Sequence, residues 1–583
     1  MLTVLDLLKD IMKKLKKDYS IVAVLLFFSL ITMLNFDSGE IQGWDEGLYA
    51  IRARSILYLH VFWDQTDFAV GGLYSSTYPP MFVWLMSGIM ALFGESNLSV
   101  RLLSVLSSMF SIFLLYAIST RIVEKENALI SALLLTGTFC WNTYARLGMT
   151  DIFLIMLFLL AFWSIIKADE SRKTNKKYWF VFLFGIAFYC GLMTKIVISL
   201  MPLLFMVFYF FYGKDRSVKF FLILVSLMAM FFAYLWYWYM SVRYGAGFYK
   251  ALLVPHLYSV VENNTPRLGL FYYLNQLVFS NPLLLLSFVS LVIFYLQYKK
   301  SELFANYIEK IVLFPSIVWF FAGFVIFSVS VTKLHHYTNY IIPPAIVLTL
   351  YAMEKIEDYI VNPRGKWLII IGLVIWSMWA FAGNLRHSFR QLDLGSNIPV
   401  IIIVFLILVI ILALMLFIPQ KRLAKICNFS SKYLSLLILS LLIIRVLTSN
   451  SLLPNGKEQG ASETACIIFN FAGDSFVYLY HEHTAAEDIS PQLDWYLGGW
   501  MCKWDRTKFY QPIALPEKTF DEKMLRKHYD FPNNIIVYKK ASNSELSKQV
   551  IEVLRDTRIM LLETKSFAVF SLLNKNRSKE AFI

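Results

Sequence analysis

Two adjacent carboxylates, Asp45 and Glu46, stand beside the aromatic residues Trp44 and Tyr49. A carboxylate in this setting can act as a general base on a hydroxyl group. The rings of Trp44 and Tyr49 offer apolar faces to a sugar and polar edges to its hydroxyls. The same residues also suit the start of a helix through 50–59, because Asp is a preferred N-cap and Glu stabilises a first turn. The spacing alone leaves both interpretations open.

A second acidic position, Asp151, begins an apolar run and follows Arg146 closely in the chain. Such an Asp can cap a helix, with Arg146 as its local ion-pair partner. It can also be a functional group, because ionisable residues at the ends of membrane spans are functional candidates. The residues alone support both interpretations equally.

Two lysines, Lys195 and Lys333, stand at the ends of apolar runs. Lysines in such places usually extend towards the membrane surface, but they can also bind the phosphate of an anionic lipid. His256 lies in a loop between apolar runs and can be a metal ligand. A lone histidine in a loop is more often not a ligand, so the residues leave its role open.

These residues belong to a chain of 583 residues that is 58% hydrophobic and only 16% charged. Soluble domains carry about 25% charged residues. Apolar runs such as Val400–Phe417 are long enough to form most of a membrane crossing. The sequence therefore predicts an α-helical polytopic membrane protein with about 13 transmembrane helices. We place them at approximately 20–36, 99–121, 127–143, 150–167, 178–194, 196–212, 219–242, 282–298, 311–331, 338–354, 367–384, 399–418 and 432–449.

The basic residues predict the orientation of these helices. With the N-terminus in the cytoplasm, the inside segments hold about 25 Lys and Arg in roughly 80 residues, and the outside loops about 10 in roughly 130. The formal charge of +14 therefore reflects orientation, and no nucleic-acid partner is predicted. The long outside loops lie at about 37–98 and 243–281. Seven ionisable residues fall on the outer side and can share one cavity: Asp45, Glu46, Arg146, Asp151, Lys195, His256 and Lys333.

The composition turns polar near residue 454, which predicts a transmembrane domain at 1–454 and a small soluble α/β domain at 455–583. The odd number of spans puts this C-terminal domain outside the cytoplasm. Cys466 and Cys502 can pair there, because that side is oxidising. Apolar runs predict strands at 466–471, 476–480, 534–538 and 567–572, and a helix at 544–555 that Ser542 or Ser544 caps.

Common catalytic motifs are missing from the sequence. It contains no Walker loop, no dinucleotide-binding glycine motif and no metalloprotease helix. An enzyme on the outer face also has no access to cytoplasmic nucleotides. A group transferred there needs a donor carried in the membrane, so the sequence predicts a lipid-linked substrate.

Four stretches resemble, in the right succession, motifs of the GT-C membrane glycosyltransferases, in the bacterial branch related to protein O-mannosyltransferases and to the aminoarabinose lipid A transferase (ArnT-like). They are Trp44-Asp45-Glu46 through Arg54, Tyr78-Pro79-Pro80-Met81-Phe82-Val83-Trp84, Arg146-Leu147-Gly148-Met149-Thr150-Asp151, and Lys333-Leu334-His335-His336-Tyr337 followed by Pro343. The resemblance covers the membrane part and the domain order. It departs at Tyr78, where the lipid A transferase pattern has a lysine, so the sugar and the acceptor stay open.

The resemblance implies a GT-C fold and an inverting transfer of a sugar from a polyprenyl-phosphate donor. The implied acceptor is lipid A, a protein or another glycan. The resemblance makes Asp45 the catalytic base, with Glu46 and Asp151 as further catalytic carboxylates, and it allows a divalent metal at Asp151 and His256 but no other cofactor. The implied substrate-binding residues are Trp44, Tyr49, Arg52, Tyr78, Arg146, Lys195, Arg267, Lys333, His336 and Tyr337.

The expected location is the inner (cytoplasmic) membrane, with the N-terminus in the cytoplasm and the C-terminal domain in the periplasm. The alternative function is a transporter or flippase for a lipid or polar solute. It predicts charged residues near the bilayer midplane and repeated hydropathy between the two halves of the chain. A non-catalytic scaffold of the cell envelope is a further alternative, for which Asp45 would be dispensable.

Overall fold

The structure is a computed structural model, and most of the chain that it describes is helical. It describes residues 22, 25–30, 36–37, 39–42, 45–66, 73, 77–195, 197–258, 269, 271–299, 307–329, 333–359, 460–472, 477–481, 491–496, 510–514, 535–540, 545–564 and 566–571.

The described residues before residue 360 lie mostly in helices. In chain order they are α1 (Asp45–Leu59), α2 (Met81–Phe93), α3 (Asn97–Ser119), α4 (Lys125–Thr136), α5 (Phe139–Ala145), α6 (Thr150–Glu170), α7 (Lys176–Leu192), α8 (Met201–Tyr212), α9 (Arg216–Tyr244), α10 (Ala246–Tyr258), α11 (Tyr272–Ser280), α12 (Leu286–Lys299), α13 (Tyr307–Val329) and α14 (Ile342–Tyr359). Short 3-10 helices at Ile198–Leu200, Pro282–Leu285 and His335–Ile341 precede α8, α12 and α14.

Within the described residues, 4 helices are long and apolar enough to cross a membrane: α3, α6, α9 and most of α13. The other predicted spans between 127 and 354 also fall on helical segments, some of them broken, as 127–143 is into α4 and α5. Among its described residues, the loop predicted at 37–98 contains α1 and α2, and α2 is apolar but only 13 residues long. The predicted spans at 367–384, 399–418 and 432–449 lie outside the described residues, so the total number stays a prediction.

The breaks between helices hold the polar residues of the predicted site. Helix α7 ends at Leu192, and Pro202 stands in the first turn of α8, so Lys195 lies in the break between them. Asp151 is the second residue of α6. Because these positions are at helix ends, their side chains can meet at one end of the helical bundle.

The segments predicted on the cytoplasmic side contact one another at the opposite end of α6. Lys177 Nζ donates to Asp215 Oδ2 at 2.8 Å. Asp169 Oδ1 accepts from the hydroxyls of Tyr209, at 3.0 Å, and Tyr307, at 2.9 Å. Three of the predicted inside segments, 167–177, 213–219 and 298–310, thus contact one another at one end of the bundle, and the side of the membrane that this end faces stays a prediction.

The described C-terminal residues form a five-stranded mixed sheet with helices. The strands are β1 (Val477–His481), β2 (Tyr510–Ala514), β3 (Ile535–Lys539), β4 (Ile559–Glu563) and β5 (Phe567–Ser571), in the order β2-β1-β3-β5-β4. Strand β1 is parallel to β2 and β3, whereas β5 is antiparallel to β3 and β4. The helices are α15 (Ala461–Ala472), α16 (Pro491–Tyr496) and α17 (Glu545–Thr557).

One of the predicted strands is wrong. The run at 466–471 belongs to helix α15, whereas the predicted strands at 476–480, 534–538 and 567–572 correspond to β1, β3 and β5. The buried residues of α15 are Ala461, Ala465 and Ile468, which have helical spacing. Cys466 lies exposed on the opposite face, and Cys502 lies outside the described residues, so their pairing stays a prediction.

Helix α1 lies between the membrane part and the C-terminal domain. Its residues Tyr49, Ala50 and Ala53 belong to the core of the membrane part. Leu48 and Ile51, on the opposite face, are buried in the core of the C-terminal domain with Ala461, Ala465, Ile468, Leu493, Ile535, Val537, Phe567 and Val569. The helix that carries the first acidic motif is therefore shared by both parts.

Candidate active site

Helix α1 begins at Asp45, so this carboxylate lies at a helix N-terminus, which stabilises negative charge. The side chain is half-buried. Its charge acts on Tyr49, one turn further along α1, and on His336 from the 3-10 helix before α14. Asp45 is thus close enough to residues from distant parts of the chain for its charge to act on them. Trp44, its predicted sugar-binding neighbour, lies outside the described residues.

The neighbouring carboxylate of Glu46 faces the other way and is fully buried. Its Oε1 accepts from Arg101 Nε at 2.8 Å and from the backbone of Gly148 at 2.7 Å. Its Oε2 accepts from the backbone of Gln42 at 2.7 Å and from Arg101 Nη2 at 3.1 Å. Both oxygens thus have partners inside the fold, and a catalytic role for Glu46 stays a prediction.

Asp151 makes a buried ion pair with Lys195. The carboxylate Oδ1 lies 3.0 Å from Lys195 Nζ and accepts from the hydroxyl of Tyr340 at 2.6 Å. The partner predicted from local spacing, Arg146, is not the one that forms this pair. Asp151 does not cap α6 either, since no side-chain hydrogen bond caps that helix. Among the described residues, no group donates to Asp151 Oδ2.

The ion pair keeps Lys195 charged. Burial acts against the ammonium, but the Asp151 carboxylate outweighs burial and raises the pKa of Lys195 well above its ordinary value. The side chain of Lys195 is 17% exposed and that of Asp151 only 1%. The ammonium therefore does not extend to bulk water, as a lysine at the end of a span usually does.

The 3-10 helix His335–Ile341 supplies the aromatic side of the cluster. The rings of Tyr144 and Tyr337 lie 5.5 and 4.7 Å from that of His336, measured between centroids. Burial lowers the pKa of His336; Asp151 and Asp45 raise it, and Lys195 lowers it further. A neutral imidazole is therefore favoured at this position.

Two further tyrosines connect Asp45 with the ion pair. Burial raises the pKa of Tyr49 to about 12, with Lys195, Asp45 and Asp151 as the charges that act on it. Burial also raises the pKa of Tyr78, and the charges of Lys195 and Asp45 act on its hydroxyl. Eight residues from five parts of the chain thus form the cluster: Asp45, Tyr49, Tyr78, Asp151, Lys195, His336, Tyr337 and Tyr340.

Other predicted substrate-binding residues support the fold around this cluster. Arg52 is buried and donates to Gln65 Oε1 at 3.1 Å and to the carbonyl oxygen of Tyr78 at 2.9 Å. Arg146 is also buried, and burial lowers the pKa of its guanidinium to about 10. Lys333 Nζ donates to the carbonyl oxygen of Ser328 at 2.8 Å. Arg267 lies outside the described residues.

The divalent metal stays a prediction, because the described residues include only part of its predicted site. No group of three or more His, Cys, Asp and Glu side chains comes together among them. Asp151 Oδ1 pairs with Lys195, whereas Asp151 Oδ2 has no donor among the described residues. The side chain of His256, the predicted metal ligand, lies outside the described residues.

Two contributors to the site were not predicted from the sequence. Tyr340 binds Asp151 from a position 189 residues away. Arg101 stands near the start of the apolar helix α3, where it neutralises Glu46. A buried cation inside an apolar run requires a carboxylate partner, and that signal could have identified Arg101. For Tyr340 the sequence carries no comparable signal.

Parts of the chain are similar in sequence to known proteins. Residues 77–238 match the family described as dolichyl-phosphate-mannose-protein mannosyltransferase. An uncharacterised protein of Aquifex aeolicus is 25% identical over 312 residues, which cover 52% of this chain and 67% of that protein. An undecaprenyl phosphate-alpha-4-amino-4-deoxy-L-arabinose arabinosyl transferase of Shewanella sediminis is 27% identical over 177 residues, 30% of this chain and 31% of that protein. This match spans about a third of the curated transferase.

Solved structures match nearly the whole chain. ArnT from Cupriavidus metallidurans, bound to undecaprenyl phosphate, has a TM-score of 0.64 at 17% identity, over 96% of this chain and 98% of that one. The archaeal oligosaccharyltransferase AglB from Archaeoglobus fulgidus has a TM-score of 0.51 at 13% identity, over 90% and 70% of the two chains. The fold is that of the GT-C membrane glycosyltransferases, in a multi-pass membrane protein. Within that class, nearly the whole chain is similar in fold to ArnT, and parts of its sequence are similar to the mannosyltransferase family and to the arabinosyl transferase.

Proposed function

We propose that this protein transfers a sugar from a polyprenyl-phosphate donor to an acceptor hydroxyl, with inversion at the anomeric carbon and with Asp45 as the base. One observation supports the proposal: the charge of Asp45 acts on the same buried groups, Tyr49 and His336, as the charges of the Asp151–Lys195 ion pair, although the three residues belong to separate elements. A base and a charged cation within one cluster are the two groups that this transfer requires.

The acceptor oxygen attacks the anomeric carbon, and its proton passes to the carboxylate of Asp45. The bond between the anomeric carbon and the phosphate oxygen breaks at the same time, and the lipid phosphate departs with the bonding electrons. It leaves as an anion and needs no proton. The Lys195 ammonium stabilises that anion, and Asp151 with Tyr340 holds Lys195 in position.

The location of the cluster favours transfer over the transporter alternative. A transporter places its charges near the bilayer midplane. Here Asp151 is the second residue of α6, Lys195 lies between helices, and His336 belongs to a 3-10 helix before α14. The predicted orientation puts this end of the bundle on the extracytoplasmic side of the inner membrane, where lipid A, a protein or a glycan can be the acceptor.

The test is Asp45→Asn, which removes the base with almost no change in shape. The purified protein is incubated with radiolabelled polyprenyl-phosphate sugars and envelope extract. We expect label to leave the lipid with wild type and at least a hundredfold more slowly with Asp45→Asn, since a general base contributes about 10²–10⁴-fold. The labelled product then identifies the acceptor.

Asp37→Asn is the matched control, because Asp37 is exposed on the same outer loop. It should transfer label like wild type. Wild-type turnover by Asp45→Asn would exclude Asp45 as the base. If wild type consumes no donor from a broad panel, the transferase proposal fails, and a lipid-flipping assay becomes the next experiment.

A further inference from the structure

The side chain of Glu40 joins the first outer loop to the C-terminal domain. Its carboxylate accepts hydrogen bonds from the backbone N–H groups of Gly460 at 3.0 Å, Ala461 at 3.2 Å and Ser462 at 2.9 Å. The hydroxyl of Ser462 donates to it at 2.6 Å and the side-chain amide of Gln492 at 3.1 Å. Every one of these donors belongs to the C-terminal domain.

These contacts cap helix α15 from outside the domain. The first N–H groups of a helix lack partners within it, and the helix N-terminus attracts negative charge. Gly460, which precedes α15, has no side chain to supply a cap. Its φ of 88° suits glycine, and a Cβ there would lie 2.4 Å from the Cβ of Thr564. Glu40 therefore supplies the cap across 420 residues of sequence.

The backbone of the same residue is held by the membrane part. Arg101 Nη2 donates to the carbonyl oxygen of Glu40 at 2.7 Å, and the Arg101 guanidinium also pairs with Glu46 in α1. The next residue, Ile41, donates its N–H to the hydroxyl of Tyr496 at 3.0 Å. Glu40 is thus bound on one side to the helices of the membrane part and on the other to the C-terminal domain.

A second contact holds the other end of α1. The guanidinium of Arg54 lies 3.9 Å above the ring of Trp495 and donates to the Trp495 carbonyl oxygen at 3.0 Å. Between the two ends, Leu48 and Ile51 are buried in the core of the C-terminal domain. The C-terminal domain therefore contacts the face of α1 that is opposite to the core of the membrane part.

We infer that Glu40 is a positioning residue for the transfer reaction: it docks the C-terminal domain against α1 and thereby holds Asp45 at the reacting centre. This inference rests on the proposed function of Asp45. Loss of the dock leaves the base present but lets α1 shift, and a shift of about 1 Å in a reacting group can cost on the order of a hundredfold in rate. Lys195, which stabilises the phosphate in the proposed reaction, and Asp151, which holds Lys195, lie on other elements, so loss of Glu40 should affect kcat more than donor binding.

The experiment compares Glu40→Gln with wild type by hydrogen exchange and by kinetics. The neutral amide presents an NH₂ group to the helix N–H donors and cannot accept all five bonds. We expect faster amide exchange in α1 and α15, with α6 and α7 unchanged. We also expect kcat to fall about tenfold or more while the KM for the donor stays within about twofold. Glu40→Asp, which retains the charge, should recover part of kcat.

Two further variants keep the test decisive. Ser462→Ala removes the donor of the shortest hydrogen bond to Glu40 and leaves the backbone contacts. It should change amide exchange and kcat in the same direction as Glu40→Gln, but by a smaller amount. This variant replaces Glu40→Gln in the test if Glu40→Gln does not fold. Glu170→Gln makes the same substitution in a carboxylate that binds Arg121 and Lys167 at the opposite end of the bundle, and it should behave like wild type.

The outcomes separate the two proposals. Unchanged exchange in α1 with Glu40→Gln overturns the positioning role, whatever the activity. Faster exchange with wild-type kcat also overturns it, because α1 then moves without consequence for the reaction. If Glu40→Gln shows faster exchange in α1 but wild type transfers no sugar, the contact of Glu40 with the C-terminal domain stands and the proposed function is refuted.

Discussion

Gly148 should not tolerate a side chain as small as that of alanine. It lies in the loop between α5 and α6, where a Cβ would be 2.6 Å from Val100 Cγ1 and 2.8 Å from the Val100 carbonyl oxygen. The Cγ of Glu46 would be 3.3 Å away. Val100 is fully buried in α3, and its carbonyl cannot move without displacing that helix. The loop must therefore move away from α3 in Gly148→Ala.

Two costs follow from that movement. Overpacking of a buried site costs about 1–3 kcal/mol. The backbone N–H of Gly148 donates to Glu46 at 2.7 Å, and a hydrogen bond to a charged group contributes roughly 1.5–3 kcal/mol. If that bond is partly lost, Gly148→Ala lowers the free energy of unfolding by about 2–5 kcal/mol.

The measurement is thermal unfolding in detergent, followed by intrinsic fluorescence. Gly191→Ala is the matched control, because a Cβ at Gly191, near the end of α7, would lie 3.5 Å from the Cβ of Ser199, an ordinary contact. Alanine also favours helix over glycine by about 0.5–1 kcal/mol. We expect a lower Tm for Gly148→Ala and an equal or higher Tm for Gly191→Ala. Equal Tm values for Gly148→Ala and wild type would refute the close approach of this loop to α3.

Two more predictions concern the cluster. Tyr340→Phe removes the 2.6 Å hydrogen bond to the Asp151 carboxylate. It should lower the free energy of unfolding, measured by denaturation, by about 1.5–3 kcal/mol, and weaken donor binding, measured by titration with a polyprenyl phosphate. No change in either quantity would contradict the role given to Tyr340. The pKa of His336 is lowered from 6.5, so the unfolded chain binds more protons between the two values and stability rises with pH there. Stability should therefore fall as the pH drops below about 6.5. In a profile of Tm against pH, His336→Gln should lose less stability in acid than wild type. Identical profiles would exclude His336 as the cause of the loss of stability.

The sequence was sufficient for much of the membrane part. Apolar runs predict where helices form, because an unpaired backbone is costly in lipid. The polar breaks predicted that Asp45, Asp151 and Lys195 would lie at one end of the bundle, and these three residues do lie in one cluster.

Other features depend on contacts that local patterns do not contain. Asp45 and Glu46 are chemically alike neighbours, and only the packing of α1 puts one in the cluster and the other against Arg101. The strand predicted at 466–471 failed because a short apolar run suits a buried helix as well as a strand. Likewise, Arg146 is close to Asp151 in sequence, which suggested an ion pair between them. In the structure Asp151 pairs with Lys195.

The burial of α1 by the C-terminal domain also sets the order in which the protein can mature. Glu40 and its partners in α15 are separated by 420 residues, and ribosomes add about 5–20 residues per second, so roughly 20–80 s pass between their synthesis. During that interval Leu48 and Ile51 have no C-terminal domain to cover them. The helix that carries Asp45 reaches its final environment only when the end of the chain has folded, so a nascent or truncated chain would insert in the membrane without a completed active site.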